Sequence, residues 1–401
     1  MINILRLTNV LLGAALLLLT QQSQAQDPAS PNWLDDVQFH GFAAQSFIDT
    51  DGNDFFGDSD SGSSEFWELG FNTLWRPLSR LQFAAQVVAR DAGETDDGDP
   101  RVDYAFADYA FAQRNTGTTG IRLGRVVNPL AFYNDTRDVA ATRPGILLPQ
   151  SIYFDVNRNF ALSSDGAQLY HESGNDDGSY IVQFGVFEPR TEDPDFEPAI
   201  FFQNVPGKLE GASSWMARII YEHDLGRIRL GLTVSEVNVD YDPGAMDPIA
   251  PGEFHFRPII LSAQYNAELW SLTAEYARRT TELEKFGGPL EVEFTGSSYF
   301  VQGAYRVRPD WEAFLRYDEL IWDNDDSDGR TFESLTGLPH YSRFAKDWTL
   351  GLRWDVSPQF MLRTELHQVN GTGWLSLLEN TSPAATDQHW QLFALSASFR
   401  F

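Results

Sequence analysis

Apolar and polar residues alternate along most of this chain with a period of two. In the last nine residues, FALSASFRF, an apolar side chain occupies every second position, between small or polar ones. Successive side chains of a β-strand point to opposite faces, so such a segment has one apolar and one polar face. Comparable segments recur along the chain, and no helical period of similar length interrupts them. Sixteen strands are predicted, at residues 37–48, 65–75, 81–89, 101–112, 120–126, 166–173, 179–187, 213–223, 227–238, 254–266, 268–280, 296–307, 311–321, 346–356, 360–369 and 388–401.

The connections between these strands alternate between short and long. The short ones lie around 76–80, 113–119, 174–178, 224–226, 267, 308–310 and 357–359. The long ones lie around 49–64, 91–100, 127–165, 188–212, 239–253, 281–295, 322–345 and 370–387. An even number of strands of about ten residues, with short periplasmic turns and long outer loops, is typical of outer-membrane barrels. The predicted fold class is therefore all-β, a transmembrane antiparallel barrel of sixteen strands with long extracellular loops.

The apolar faces carry aromatic residues at their ends. Three stripes illustrate this: Trp215, Ala217, Ile219 and Tyr221; Trp270, Leu272, Ala274 and Tyr276; Trp348, Leu350, Leu352 and Trp354. Such stripes are typical of the two aromatic girdles that border a lipid-facing band, whereas a soluble core gives aromatics no reason to sit at strand ends. In the last strand the same parity directs five residues to lipid: Phe393, Leu395, Ala397, Phe399 and Phe401. Ser396, Ser398 and Arg400 then face the lumen.

Two stretches depart from a single alternating pattern. The segment FHFRPIILSAQY changes phase around Arg257 and Pro258, and because proline cannot donate to the ladder, a β-bulge is predicted there. The run RVDYAFADYAFA, at 101–112, also keeps no single register. Strand boundaries are expected to shift at both places.

The N-terminus reads as an export signal. Arg6 precedes an apolar run from Val10 to Leu19, and Ser23-Gln24-Ala25 has the small residues of a signal-peptidase site. The run is about half of the roughly 20 residues that a spanning helix needs. We therefore predict a signal peptide at 1–25 and a single barrel domain at 26–401. Cysteine is absent, which excludes a lipid-modified cysteine, disulfides and thiolate metal sites.

The chain is strongly acidic, with a formal charge of -28 from 57 acidic and 29 basic residues. This argues against nucleic acid as a partner. The acidic loops lie at 49–62, 93–99 and 323–330, and we expect divalent ions to bridge them to lipopolysaccharide phosphates as a secondary role. Asp49, Asp51, Asn53 and Asp60 have part of a calcium-loop spacing. Asp54 stands where that motif needs glycine, which favours solvated charge over a metal site.

The lumen of a sixteen-strand barrel is a water-filled passage. Strand parity directs many charges into it: Arg218, Glu222, Arg227, Arg229, Glu275, Arg279, Arg306, Glu312, Arg316, Asp318, Arg353, Asp355, Arg363, Glu365 and His367. Two interpretations of these charges are open. They line an ion-binding interior, or they only form ion pairs with one another across neighbouring strands. The longest connection, 127–165, is too long to be featureless and too apolar to lie in water, so it is predicted to fold into the barrel. Its charged residues would then meet the wall: Asp135, Arg137, Asp138, Arg143, Asp155 and Arg158.

These features resemble the general diffusion porins of Gram-negative outer membranes. The chain is exported, sixteen-stranded and ends in phenylalanine, and its third outer loop is the longest. The resemblance implies an outer-membrane location, a homotrimer and a constriction in which Asp135, Asp138 and Asp155 face an arginine cluster. That cluster would be drawn from Arg218, Arg229, Arg316, Arg353 and Arg363. The Pro-Glu-Phe-Gly-Gly stretch of enteric porins is absent, and RPGILLPQ stands in its region. The final strand, with Phe399 and Phe401, resembles the signal read by the barrel-assembly machinery.

The predicted function is a channel for passive diffusion of small hydrophilic solutes and ions, without a cofactor. A solute-selective porin, for phosphate or another small anion, is an alternative, although only three lysines are available for an anion cluster. An outer-membrane hydrolase would need Ser-His or Asp-His groups close together, and none of the seven histidines lies in a catalytic signature. The chain is therefore predicted not to be an enzyme. An adhesin or receptor barrel remains open and would have a plugged lumen.

Overall fold

The structure is a computed structural model that describes residues 36–201, 205–245 and 247–401. The predicted signal peptide at 1–25 lies outside the described residues. The described residues form seventeen strands: β1 Val37–Thr50, β2 Trp67–Leu78, β3 Leu81–Asp91, β4 Arg101–Arg114, β5 Gly117–Val127, β6 Ser163–Gly174, β7 Gly178–Pro189, β8 Lys208–Gly211, β9 Ser214–His223, β10 Ile228–Asp242, β11 Gly252–Asn266, β12 Trp270–Glu284, β13 Val292–Arg308, β14 Trp311–Ile321, β15 Phe344–Asp355, β16 Phe360–Gly371 and β17 His389–Arg400.

These strands form one closed antiparallel barrel. β17 pairs with β1 from Phe42 opposite Arg400 to Thr50 opposite Leu392, which closes the sheet. The short β8 and the longer β9 both pair with β10, one after the other along its length. They therefore share one position in the wall, and the barrel has sixteen positions. The predicted sixteen-strand antiparallel barrel is confirmed.

Helices occur only in the connections of the described chain. They are α1 Arg158–Leu162, α2 Phe196–Phe201 and α3 Arg330–Thr336. None of these helices is long and apolar enough to cross a membrane.

Short and long connections alternate around the barrel, as in the sequence-based prediction. Each turn at one end holds at most four residues, between β2 and β3, β4 and β5, β6 and β7, β9 and β10, β11 and β12, β13 and β14, and β15 and β16. The loops at the other end are named L1 to L8 in chain order: 51–66, 92–100, 128–162, 190–207, 243–251, 285–291, 322–343 and 372–388. L3 is the longest of them.

The outward face is an apolar band between aromatic residues. On β15 the band runs from Trp348 to Trp354, with Leu350 55% exposed between them. Trp354 stacks on Trp311 with ring centroids 5.1 Å apart, and Trp348 meets Tyr317 at 4.8 Å. The last strand follows the predicted parity, because Leu395 and Phe401 are exposed whereas Ser396 and Ser398 are buried inside.

Replacing Leu350 by arginine should destabilise the barrel by about 2–4 kcal/mol, the usual effect of arginine at the middle of a lipid-facing band. Gln391→Arg is the matched control, because Gln391 points outward near the loop end of β17 and is already exposed. The free energy of unfolding of both variants is measured with urea in vesicles. If Leu350→Arg and Gln391→Arg lower it equally, Leu350 does not face lipid.

The predicted bulge at Arg257 and Pro258 is wrong. β11 and β12 keep one register from Glu253 opposite Glu284 to Asn266 opposite Ser271. Only the ladder to β10 lapses beside the proline. The apolar residues change from one face of β11 to the other because the surroundings of each face change along the strand. Ile259 and Leu261 face outward, whereas Phe254 faces inward and is buried in an apolar cluster below L4.

The same cluster explains why four strands are longer than predicted. β10, β11 and β12 each have 15 residues and β13 has 17, against 11 or 12 in β14 to β17. Together they form a sheet that continues past the aromatic residues at the loop end. Its inner face packs on L4 and L6, through Phe196, Phe201, Leu209, Val239, Tyr241, Leu283 and Phe286 among others.

The irregular stretch in β4 is confirmed. The register of β4 shifts against β3 between Gln86 and Val87, and shifts again against β5 beyond Tyr109. The first shift reverses the parity, so Asp103 and Asp108 are both buried inside although they are five positions apart.

Candidate functional site

L3 crosses the interior of the barrel, and wall arginines hold its backbone. Arg218 donates to the carbonyl of Ala131 at 2.8 Å, and Arg316 donates to that of Leu147 at 3.1 Å. Arg279 and Arg363 bind further L3 carbonyls in the same way. A loop inside a protein must find partners for its backbone groups, and here the strands supply them.

Wall carboxylates bind the backbone N–H groups of the same loop. Glu275 accepts from Phe132 at 3.0 Å, and Asp318 accepts from Ser151 at 3.2 Å. Glu365 accepts from Ile146 and Leu147. The charges predicted to line the lumen on β12, β14 and β16 therefore fix the course of L3.

The apolar residues of L3 explain why this loop is buried inside the barrel instead of lying in solvent. Leu148, Ile152 and Tyr153 are buried against Met216, Ile260, Ala277 and Phe300 of the wall. The hydroxyl of Tyr153 donates to Glu275 at 2.7 Å. Ile146 and Leu147 join a second cluster with side chains of L1 and L8.

On the side of β2 to β4, buried ion pairs anchor the loop. Arg158 contacts Asp103 of β4 at 3.2 Å and Asp138 of L3 at 2.6 Å. Arg90 of β3 contacts Asp155 at 3.3 Å. Arg143 pairs with Glu68 of β2. L3 is thereby attached to both sides of the barrel.

This burial shifts the pKa values of the L3 groups. Burial, with the nearby Asp103 carboxylate, raises the pKa of Asp138 to about 7. For Asp155 burial acts in the same direction, but the guanidinium groups of Arg90 and Arg137 outweigh it and leave the pKa below its ordinary value. Asp138 is thus the L3 carboxyl that changes charge near neutrality.

Between pH 3.8, the ordinary value for Asp138, and about 7, the folded protein keeps a proton that the unfolded chain has released. The packing of L3 is therefore most favourable in acid and weakens as the pH rises toward 7. We expect current fluctuations in planar bilayers to increase several-fold between pH 5 and pH 8.

Asp138→Asn should reduce this increase, because an amide does not ionise. It should not abolish it, since burial also raises the pKa of Asp195 in L4 to about 6 and that of Glu379 in L8 to about 7. A pH profile identical to that of the unmodified protein would show that Asp138 does not control L3.

The constriction implied by the porin resemblance is only partly assembled. Of its three loop carboxylates, Asp135 alone meets an arginine of the proposed cluster, Arg218, at 2.5 Å. Asp138 contacts Gln86 and Arg158, and Asp155 contacts Arg90 and Arg137. The predicted constriction, in which loop acids face a cluster of wall arginines, is therefore wrong for Asp138 and Asp155. Arg316 and Arg363 of that cluster bind L3 carbonyls instead.

Three further wall arginines lie nearer the short turns and are partly open to water. Arg122, Arg229 and Arg353 have side chains 24–27% exposed, and each is paired with an acid: Asp108, Glu222 and Asp355. Arg229 also lies over the ring of Phe132 at 4.7 Å. Arg316, Arg363 and Glu365 are at most 3% exposed. Water therefore reaches the interior on the turn side of L3.

Sequence reasoning missed the anchors on β2 to β4. Glu68, Arg90 and Asp103 were not assigned to the lumen, although each is at most 3% exposed inside it. Arg90 follows the predicted end of its strand, and the shifted register conceals Asp103. If the third predicted strand had been extended by one residue, Arg90 would have been placed on the same inward face as Gln86.

Three loops meet at the mouth of the barrel. Glu379 of L8 accepts from the backbone N–H groups of Phe56 at 3.0 Å and Gly57 at 2.7 Å, both in L1. Ser376 of L8 donates to Asp195 of L4 at 2.6 Å. L8 thus joins L1 and L4 on the outer side of L3.

The weak calcium candidate is not assembled. The amide of Asn53 is bonded in both directions to the backbone of Asp387, at 2.9 and 2.8 Å. Asp49 and Asp60 are exposed, and Asp51 accepts from the backbone N–H of Gln391. Asn53 is therefore engaged by L8 and does not serve as a ligand.

The residues of the suggested assembly signal close the barrel. Phe399 lies opposite Ala43 in the ladder between β17 and β1. The backbone of Phe401 exchanges two hydrogen bonds with Gly41, at 3.0 and 3.2 Å. A Cβ on Gly41 would approach the Phe401 ring to 2.5 Å, so glycine makes room for the terminal ring.

Comparison with known proteins finds similarity in structure alone, since no family model and no curated protein matches the sequence. The trimer form of OmpT from Vibrio cholerae is 12% identical with a TM-score of 0.54, over 91% of this chain and 99% of that one. The anion-selective porin of Comamonas acidovorans is 13% identical with a TM-score of 0.54, over 91% and 99%. The outer membrane channel DcaP of Acinetobacter baumannii is 12% identical with a TM-score of 0.57, over 91% and 97%. The chain therefore has the sixteen-stranded barrel fold of the outer-membrane porins.

Proposed function

We propose that this protein is an outer-membrane channel through which small hydrophilic solutes and ions diffuse passively, with L3 as its constriction. The attachment of L3 to both sides of the interior carries this proposal, because it narrows the passage at a fixed depth. Transport of this kind requires a passage and a charge lining but no chemistry.

Cations should pass more readily than anions. The arginines beside L3 donate to its backbone or to Asp135, and those open to water are balanced by paired acids. The mouth, in contrast, carries exposed acids in L1, L2 and L7, including Asp58, Asp97 and Asp325. An acidic mouth raises the local concentration of cations.

Planar-bilayer recording of the purified protein across a salt gradient tests both points. We expect discrete conductance steps and a reversal potential of the sign set by cation flow. A reversal potential of the opposite sign would favour the anion-selective alternative and contradict the cation preference. Absence of conductance would contradict the channel and favour a receptor or adhesin barrel.

We also propose that the protein is not a hydrolase. His367 is the histidine with the most carboxylate contacts, to Asp347 at 2.7 Å and Glu365 at 3.1 Å, but it is 5% exposed behind L3. The hydroxyl beside it belongs to Thr349, which is fully buried. Hydrolysis of a lipid or peptide substrate that is lost in His367→Gln would contradict this.

Export, location and assembly are proposals of the same kind. We propose that residues 1–25 direct export, that the mature chain inserts in the outer membrane among lipopolysaccharide with the help of the barrel-assembly machinery, and that it forms a homotrimer. The trimer form of OmpT supports the last point. Light scattering of the detergent-solubilised protein measures its oligomeric state directly, and a monomer would contradict the proposed homotrimer.

A further inference from the structure

The sheet that continues past the aromatic residues carries a cluster of histidine and glutamate side chains on its outer face. Glu253 of β11 lies opposite Glu284 of β12, and His255 lies opposite Glu282. These pairs are six to eight residues beyond Tyr276 along β12, about 20 Å or more at the rise of a strand. They therefore lie outside the lipid-facing band.

Hydrogen bonding fixes the tautomer of His255. Its Nδ1 is 2.7 Å from Oδ1 of Asn238, which accepts only. The orientation of Asn238 is set in turn, because its Nδ2 donates to the carbonyl of Ser213 at 2.8 Å. Nδ1 of the neutral ring therefore carries the proton. Nε2, with its lone pair, faces Oε2 of Glu253 at 3.5 Å.

We propose that Glu253, His255 and Glu284 bind a first-row divalent metal ion of the Zn²⁺ type. One ligand atom from each lies within 4.8 Å of the other two. Zinc takes nitrogen and oxygen ligands at about 2.0–2.2 Å, so small rotations of the exposed Glu284 and the partly exposed Glu253 bring the three atoms to bonding distance. Three protein ligands leave the fourth position to water.

Glu284 shares a hydrogen bond with Glu282, and a cation offsets the repulsion between these two carboxylates. Lys285 binds Oε1 of Glu253, which leaves Oε2 for the metal. Arg257 contacts Glu282 at 2.7 Å and does not reach into the triad. Asn238 acts as a positioning residue, because an acceptor on Nδ1 orients a histidine ligand and raises its basicity. The imidazole favours Zn²⁺ over Ca²⁺ and Mg²⁺, which prefer oxygen ligands only.

Titration calorimetry with Zn²⁺ tests this site on the full chain in detergent, purified without a polyhistidine tag. We expect one high-affinity equivalent, with tenfold or greater loss of affinity in His255→Gln and in Glu284→Gln. Asn238→Ala should weaken binding less than either ligand variant. Acid should abolish binding, since a protonated imidazole is not a ligand.

His340→Gln is the matched control, because His340 faces a single carboxylate, Glu333, at 3.4 Å. It should bind Zn²⁺ as the unmodified chain does. Equal affinity in His255→Gln, binding of Ca²⁺ as tightly as Zn²⁺, or no Zn²⁺ binding would each overturn the proposal. Circular dichroism verifies that the variants remain folded, and the assay is independent of conduction.

Discussion

Deletion of residues 134–158 is expected to raise the single-channel conductance several-fold. The segment spans the interior between Arg218 on one side and Arg90 on the other, through Asp135 and Asp155. Without it the passage widens toward the full lumen of a sixteen-strand barrel, and conductance follows the open cross-section. Planar-bilayer recording at fixed salt concentration measures the change.

The matched control is deletion of α3, residues 330–336, in L7. No residue of α3 is buried, so its loss leaves the interior unchanged. If removing 134–158 and removing α3 change conductance equally, L3 does not form the constriction. An unchanged conductance after the first deletion would have the same meaning.

The barrel could be predicted from the sequence because its determinants are local. Alternation within each strand assigns faces, as in Trp348 to Trp354, and the turns between strands are short enough to force antiparallel neighbours. One register error would have moved every side chain to the other face. Burial on β17 instead follows the predicted parity from Phe393 to Phe399.

Alternation also misled where the environment of a face changes along one strand. Phe254 and Ile259 point to opposite sides of β11, yet both are apolar, because one faces the cluster under L4 and the other faces the outside. A pattern of apolar residues cannot distinguish these two environments. For this reason the phase change around Arg257 and Pro258 was attributed to a bulge.

The partners of L3 are long-range contacts that no local pattern contains. Parity predicts that Arg316 and Arg363 point inward, but it does not show that they bind Leu147 and Gly145 carbonyls rather than water. Loop carboxylates and wall arginines could therefore be placed in one compartment but not paired. Asp138 and Asp155 instead contact residues of β3 and of L3 itself.

Replacing Arg158 by methionine should be the most destabilising of the single substitutions. Its side chain is 3% exposed between Asp103 and Asp138, whose side chains are 0% and 4% exposed. Methionine keeps much of the length but removes this cation from both carboxyls, and Asp103 then retains only Arg101, at 3.7 Å. Breaking a buried pair in this way costs about 3–5 kcal/mol. Urea unfolding in vesicles at pH 8, where Asp138 is ionised, measures the loss.

Arg125→Met removes an arginine of similar geometry at the surface, where Asp165 is 55% exposed at 2.8 Å, and should cost about 1 kcal/mol or less. Adding Asp138→Asn to Arg158→Met should recover part of the lost stability, because the carboxylate whose only ion-pair partner was Arg158 is no longer charged. Since the three residues are in contact, the effects of the two substitutions should not be additive. Equal losses in the two arginine variants, or strict additivity with Asp138→Asn, would show that this buried triad does not anchor L3.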